Sequence, residues 1–136
     1  MRGRFLPPSA VPKLRWRGSP LAHSVVVLVR QAGLGQLQPN DAHFGVEMFE
    51  RFLHAVDANP ITPSAICFYT EGVKLVCEGS PVIPSLQLLQ GMGVRLVICA
   101  TCLEYFNLRD KVAVGEVGGM SDIVNLLLGA THVVTV

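Results

Sequence analysis

Short apolar runs alternate with longer amphipathic stretches along this chain. Residues 24–30, SVVVLVR, place four valines in five consecutive positions between polar ends, which predicts a buried strand. Residues 42–58 then carry Phe44, Met48, Phe52 and Val56 at intervals of four, with Leu53 beside them. That spacing predicts a helix with one apolar face, and Asp41 stands where an N-cap would accept from free backbone N–H groups. A second strand is read at 65–69, AICFY, after a break at 59–63. Residues 72–76 fit neither period and read as a short helix or turn. The next helix begins near Ser80 and Pro81, or at Pro84, with Val82, Leu86 and Leu89 on one side and Gly91 and Gly93 at its end. A third strand at 95–98 leads into a short helix at 100–106. Val112 and Val114 alternate in an edge element within 108–117, and Gly118 and Gly119 open a last helix at 120–128. Its inward face is read as Ile123, Leu127, Val124 and Leu128, and THVVTV at 131–136 closes the chain as a strand.

Strands and helices alternate throughout, so the expected fold class is α/β with a mostly parallel central sheet covered by helices on both faces. In such folds chemistry gathers just past the carboxyl ends of the strands. The stretch at 93–103, GVRLVICATCL, therefore stands out, because its apolar run is followed at once by Cys99, two small residues and Cys102.

Composition narrows the picture. The chain has 136 residues, of which 50% are apolar and 15% charged, enough for one domain with much of its surface against itself or another subunit. No apolar run approaches the roughly 20 residues that cross a bilayer. Residues 2–17 hold five basic side chains, no acid and three prolines, and those prolines break the amphipathic helix that a transit peptide needs. They also lack the apolar stretch of a secretory signal. Residues 1–23 are read as a basic, Pro-rich extension, disordered or packed on a partner subunit, and 24–136 as the α/β domain. Beyond residue 22, six basic residues face ten acids. A body with that balance lacks the clustered positive charge that nucleic acid requires. Four cysteines in so apolar a chain form no disulfide framework and fit a reducing, cytoplasmic compartment.

A thiol at a strand-to-helix junction meets backbone amides and the positive end of the helix, which favour thiolate. The spacing puts Cys99 at the mouth and Cys102 one helical turn on, either of them able to attack a persulfide or disulfide, and Cys102 equally able to act as the resolving thiol. Buried structural cysteines are the plainer reading, and it is the one taken for Cys67 and Cys77. One CxxC without a second pair or a nearby histidine does not make a zinc set. Tyr69, Thr70 and Glu71 follow the second strand toward the same sheet edge and are candidates for shaping a pocket, with Gly72 letting the backbone come close. Glu104 either accepts from a local donor, disfavours thiolate, or is a solvated acid. His43, His54 and His132 have no carboxylate partner fixed by the sequence. The Gly33-x-Gly35 loop lacks both the third glycine of a dinucleotide fingerprint and the Lys-Ser/Thr ending of a P-loop, so no cofactor and no metal are expected.

Residues 68–124 carry GVKL, EGSPV, GV-x-L-x-x-C-x-x-C-L and AVGEV in that order. This run resembles the DsrE-like domain of YedF-type selenium-metabolism proteins, within the wider DsrE/DsrF-like family. The resemblance extends over about 24–136. It implies a flavodoxin-like sandwich that assembles into homo-oligomers and relays sulfur as a cysteine persulfide, with Cys99 matching the strand-terminal cysteine and Cys102 the second thiol. No CPxP-type motif is present, so a TusA-like carrier, as sulfur donor or acceptor, would be a separate protein. Tyr69-Thr70-Glu71-Gly72 departs from the family's Tyr-Asn-Ser-Gly, and the loop at 35–41 departs from its acidic-Gly arrangement. The competing expectation is a non-catalytic oligomeric module that binds a small ligand or another protein.

Overall fold

A computed structural model describes residues 24–136. The expectations for residues 1–23 lie outside the described residues. Five strands, β1 (Val25–Val29), β2 (Ala65–Phe68), β3 (Arg95–Cys99), β4 (Glu116–Gly118) and β5 (His132–Thr135), pair in parallel in the order β4-β3-β2-β1-β5. Helices α1 (Ala42–Ala58), α2 (Ile83–Gly91), α3 (Ala100–Tyr105) and α4 (Met120–Gly129) cover the two faces. The result is the expected flavodoxin-like three-layer sandwich, except that the chain's last strand, not its second, takes the outer place beside β1.

The direction of travel decides which helix covers which face. Right-handed crossovers that step from β1 to β2 to β3 in one direction keep their helices on one side of the sheet. There Phe49 and Leu53 of α1, Leu86 and Leu89 of α2 and Leu103 of α3 pack against Val27, Val29, Ile66, Phe68, Leu96 and Ile98. The return from β4 to the far edge at β5 reverses the direction and places α4 opposite. Its Ile123 packs against Val26, Leu28, Ala65, Cys67, Val97 and Cys99. Burial on both faces explains why the central strands read as unbroken apolar runs.

Several local expectations shift. Helix α1 has the expected bounds, but its buried line is Gly45, Phe49 and Leu53, one residue on from the one read in the sequence, and Phe44 is half exposed. Gly45 faces the loop after β1, where the Leu34 N–H donates to its carbonyl at 2.8 Å, so that loop rather than the sheet sets the helix's rotation. Asp41 makes no capping bond; a 3-10 turn, Pro39–Asp41, leads into α1 instead. Helix α2 starts at Ile83 with Pro84 in its first turn, while the Ser80 hydroxyl accepts from the Val82 N–H at 3.4 Å. Residues 72–76 belong to a 3-10 helix, Thr70–Val76, buried at Gly72, Val73, Leu75 and Val76. The edge strand falls at Glu116–Gly118, later than Val112 and Val114 suggested; Val112 makes only an isolated antiparallel bridge to Cys77. Val124 and Leu128, expected inward, lie outward, Leu128 at 83% exposure, because a lone helix on this face seats one stripe only.

Two measurements test this packing. A β-carbon at Gly72 would collide with the carbonyl of Val29, so a methyl group there would run into backbone. Gly72→Ala is expected to destabilise the fold by about 1–3 kcal/mol in urea unfolding. Gly91→Ala, whose added methyl meets nothing, is expected to be neutral or stabilising by up to about 1 kcal/mol. The Cys67 thiol is pushed up to about 11 by burial, with Arg95 opposing weakly. Above about pH 9 the unfolded chain loses this proton while the folded chain keeps it, so stability falls with rising pH until about pH 11. Cys67→Ala should flatten that alkaline slope in unfolding curves taken across the range.

Candidate functional site: a thiol pair at the carboxyl edge of the sheet

Val29, Phe68 and Ile98 stand in register, so β1, β2 and β3 end together and the residues beyond them share one edge. The Tyr69 N–H donates to the Val29 carbonyl at 3.1 Å and carries the pairing one residue further. The chain then turns at Thr70, whose φ of 47° is left-handed. For a β-branched residue this conformation costs about 1–3 kcal/mol and persists only when its surroundings impose it. Here the Thr70 hydroxyl is 2.8 Å from the carbonyls of both Arg30 and Tyr69, and the Gly72 N–H donates back to the Tyr69 carbonyl at 3.0 Å. Held in this way, the Thr70 main-chain N–H donates to the Sγ of Cys102 at 3.0 Å.

Cys99 ends β3 and immediately precedes α3, with Cys102 in the first turn of that helix. The expectation that Cys99 stands open at the mouth is corrected, because it is 1% exposed. Strand alternation turns its side chain onto the face covered by α4, whereas Cys102, a helical turn later, returns toward solvent and is only partly buried. Cys102 packs against both core clusters, one of which contains Cys99, so the two cysteines lie side by side. Burial pushes the Cys102 thiol above its ordinary range, the Thr70 N–H opposes that rise, and the neighbouring Cys99 adds to it. Cys102 is thus the thiol of the pair that a second molecule can approach, with Cys99 sealed behind it.

The other residues singled out in the sequence divide. Tyr69 is partly buried beside the turn, and Gly72 lets the chain cross the end of β1. Glu71 lines a cleft of about 640 Å³ together with Gln31, Gly33, Gln36 and Gln38 of the loop after β1. It also pairs with Lys74 at 3.9 Å, whose Nζ lies 4.5 Å from the centre of the Phe106 ring. Glu104 is exposed and pairs with Arg109 at 2.8 Å. A smaller apolar cavity of about 250 Å³, walled by Val25, Phe52, Val56, Ile61, Pro63 and Val134, includes none of the cysteines. His54 and Ser85 are 3.2 Å apart and join α1 to α2. Among the described residues no group of three or more His, Cys, Asp or Glu is arranged to hold a metal, and no helix is long and apolar enough to cross a membrane. What sequence reasoning missed is the backbone of Thr70 and the carbonyl of Arg30. Their roles are carried by main-chain geometry, and a threonine in a left-handed turn leaves no mark in a hydropathy pattern.

Comparisons with known proteins agree with this architecture. Three solved structures share the fold. The ychN protein of E. coli is 14% identical, with a TM-score of 0.62 over 85% of this chain and 100% of that one. The protein of unknown function MTH1491 from Methanobacterium thermoautotrophicum is 16% identical, with a TM-score of 0.59 over 85% of this chain and 100% of that one. The protein of unknown function BT1422 from Bacteroides thetaiotaomicron is 15% identical, with a TM-score of 0.58 over 83% and 95%. No curated protein matches. The model of the DsrE/DsrF-like family matches residues 46–136, from within α1 through β5, a span that includes both thiols and the turn that serves them. By that match the chain belongs to the DsrE/DsrF-like family.

Proposed function

We propose that this protein is a sulfur-relay protein that carries sulfane sulfur on Cys102, with Cys99 as the second thiol behind it. The observation that supports the reading is the partly buried Cys102, whose sulfur receives the Thr70 N–H and which packs beside the buried Cys99. The sequence alone favoured Cys99 as the acceptor; its burial supports Cys102 for that role in this reading. In the proposed cycle the Cys102 thiolate attacks the outer sulfur of a donor persulfide. A new S–S bond forms on Cys102, the donor's S–S bond breaks, and the donor leaves as thiolate. An acceptor thiolate then attacks the same outer sulfur and releases Cys102 as thiolate, so no net oxidation occurs. If Cys99 attacks the inner sulfur instead, hydrosulfide leaves and a Cys99–Cys102 disulfide remains, to be reopened by an external dithiol.

The finer parts of the reading rest on the resemblance at residues 68–124. A YedF-type role linked to selenium metabolism and a separate TusA-like protein as donor or acceptor follow from it, whereas a cytoplasmic setting rests on the four free cysteines. Tyr105, one helical turn beyond Cys102 and 83% exposed, offers such a partner an aromatic contact. Homo-oligomerisation is proposed through α4, where Met120, Val124 and Leu128 form an exposed apolar stripe at intervals of four. The second reading, a ligand-binding module without sulfur chemistry, draws on the cleft of about 640 Å³ beside Glu71.

Incubation with a persulfide donor, followed by intact mass and peptide mapping, is expected to add one sulfur atom to the peptide holding Cys102. Cys102→Ser should abolish the addition, while Cys99→Ser should keep it and lengthen the life of the loaded species. Because the Cys102 thiol lies above its usual range, the loading rate should climb about tenfold per pH unit and still be rising near pH 9. Unmodified wild-type protein beside a control carrier that does load, or cellular function intact in the double Cys→Ser variant, would favour the binding module. Separately, Val124→Glu with Leu128→Glu should leave the circular dichroism spectrum unchanged and shift sedimentation from the assembled species to the monomer. An unchanged sedimentation coefficient would remove α4 from the assembly.

A further inference from the structure

We propose that Thr70 is a positioning residue, whose main-chain N–H is the fixed donor that holds the sulfur of Cys102 when that sulfur is ionised. The inference deepens the sulfur-relay reading and rests on it for its biological purpose, but its physical content concerns the thiol alone.

Two independent features of the turn converge on this role. The first is distance. A contact of 3.0 Å is ordinary for N–H donating to oxygen, and sulfur is a larger atom, so the amide is seated tightly on the thiol. The second is strain. Left-handed backbone is tolerated by glycine, asparagine and aspartate, whereas a branched β-carbon opposes it. Threonine nonetheless stands here, at φ 47°. What it brings is a hydroxyl 2.8 Å from the Arg30 carbonyl, and that donor ties the turn to the end of β1. A glycine would adopt the angle freely and would leave the amide free to swing away. The strained residue thus fixes a direction, and that direction is toward Cys102.

Satisfying an orphan amide would be the plainer purpose, because Thr70 opens a 3-10 helix and its N–H has no partner within that helix. The two roles differ in what they do to the sulfur. A donor aimed at sulfur favours the ionised form and offsets part of what burial takes away, whereas a merely structural contact would leave the titration of Cys102 unchanged when the donor is lost.

The test replaces the Thr70 amide with an ester in the full-length chain, which removes the N–H while keeping the side chain and its hydroxyl. The pH profile of Cys102 alkylation is then followed by peptide mass. The expected result is a profile displaced to higher pH, with alkylation about tenfold slower at a fixed pH near 8. Thr70→Val, which keeps the amide but loses the hydroxyl anchor, should fall between the ester and the wild type. The wild-type protein gives a second measurement that does not depend on the variants folding. The Thr70 amide resonance should move as Cys102 ionises and stay still in Cys102→Ala. An unchanged ester profile, or an amide resonance indifferent to Cys102, would overturn the proposal. Alkylation reads the thiolate whether or not sulfur is transferred. A chain that loads no sulfur yet shows the displaced profile would lose the relay and keep Thr70, and the reverse result would remove Thr70 alone.

Discussion

The approach of Gly72 to the end of β1 is the constraint on which the site depends. Parallel pairing brings β1, β2 and β3 to a common edge, and the chain leaving β2 must turn there without colliding with β1. It passes directly over the Val29 carbonyl, where only a residue without a β-carbon fits. Once Gly72 is fixed, Tyr69 and Thr70 upstream of it have little freedom. Tyr69 continues the pairing with β1, and Thr70 takes up the remaining rotation as a positive φ. The bond to Cys102 thus originates in close contact between the ends of two strands.

This geometry separates the two cysteines by physical role although they lie three residues apart. Cys99 obeys the alternation of a strand and is committed to the face under α4; Cys102 obeys the turn of a helix and comes back toward the surface. Their side chains still lie together, because the strand runs into the helix with no intervening loop. A pair built in this way has one member that can reach another molecule and one that can reach only its neighbour. Cys67 and Cys77, buried within strand and loop, have neither kind of access.

Much of this was legible in the sequence, for identifiable reasons. Runs such as VVVLV and RLVIC are buried on both faces, so their composition alone marks them as strands, and alternation with helices leaves few topologies. The CxxC after β3 located the thiols. The sequence was a poor guide wherever one residue's orientation was decided by a distant contact. The rotation of α1, which buries Phe49 and exposes Phe44, is set where Gly45 meets the loop after β1. The outward turn of Val124 and Leu128 follows from α4 having a single sheet face beneath it. Nor does CATC in isolation say which thiol is open, since that depends on the phase at which strand gives way to helix.

The uneven covering of the sheet also bears on how the proposed assembly and the proposed chemistry would be divided. Five strands at about 4.8 Å span roughly 20 Å, whereas one helix with its side chains is about 10 Å across. Among the described residues, α4 alone packs on its face, so part of that face is left over. The remainder lies at the β5 edge, where Val133 shares a face with Val26 and is exposed. With the outward stripe of α4 it makes an apolar surface suited to another copy of the chain. Closing that surface would press α4 onto the layer holding Cys99 and reinforce its burial. Cys102 is reached instead past α3 and the Thr70 turn, at the carboxyl edge of the sheet. Subunits joined through α4 would therefore leave each Cys102 accessible, and the least accessible thiol would sit nearest the joint.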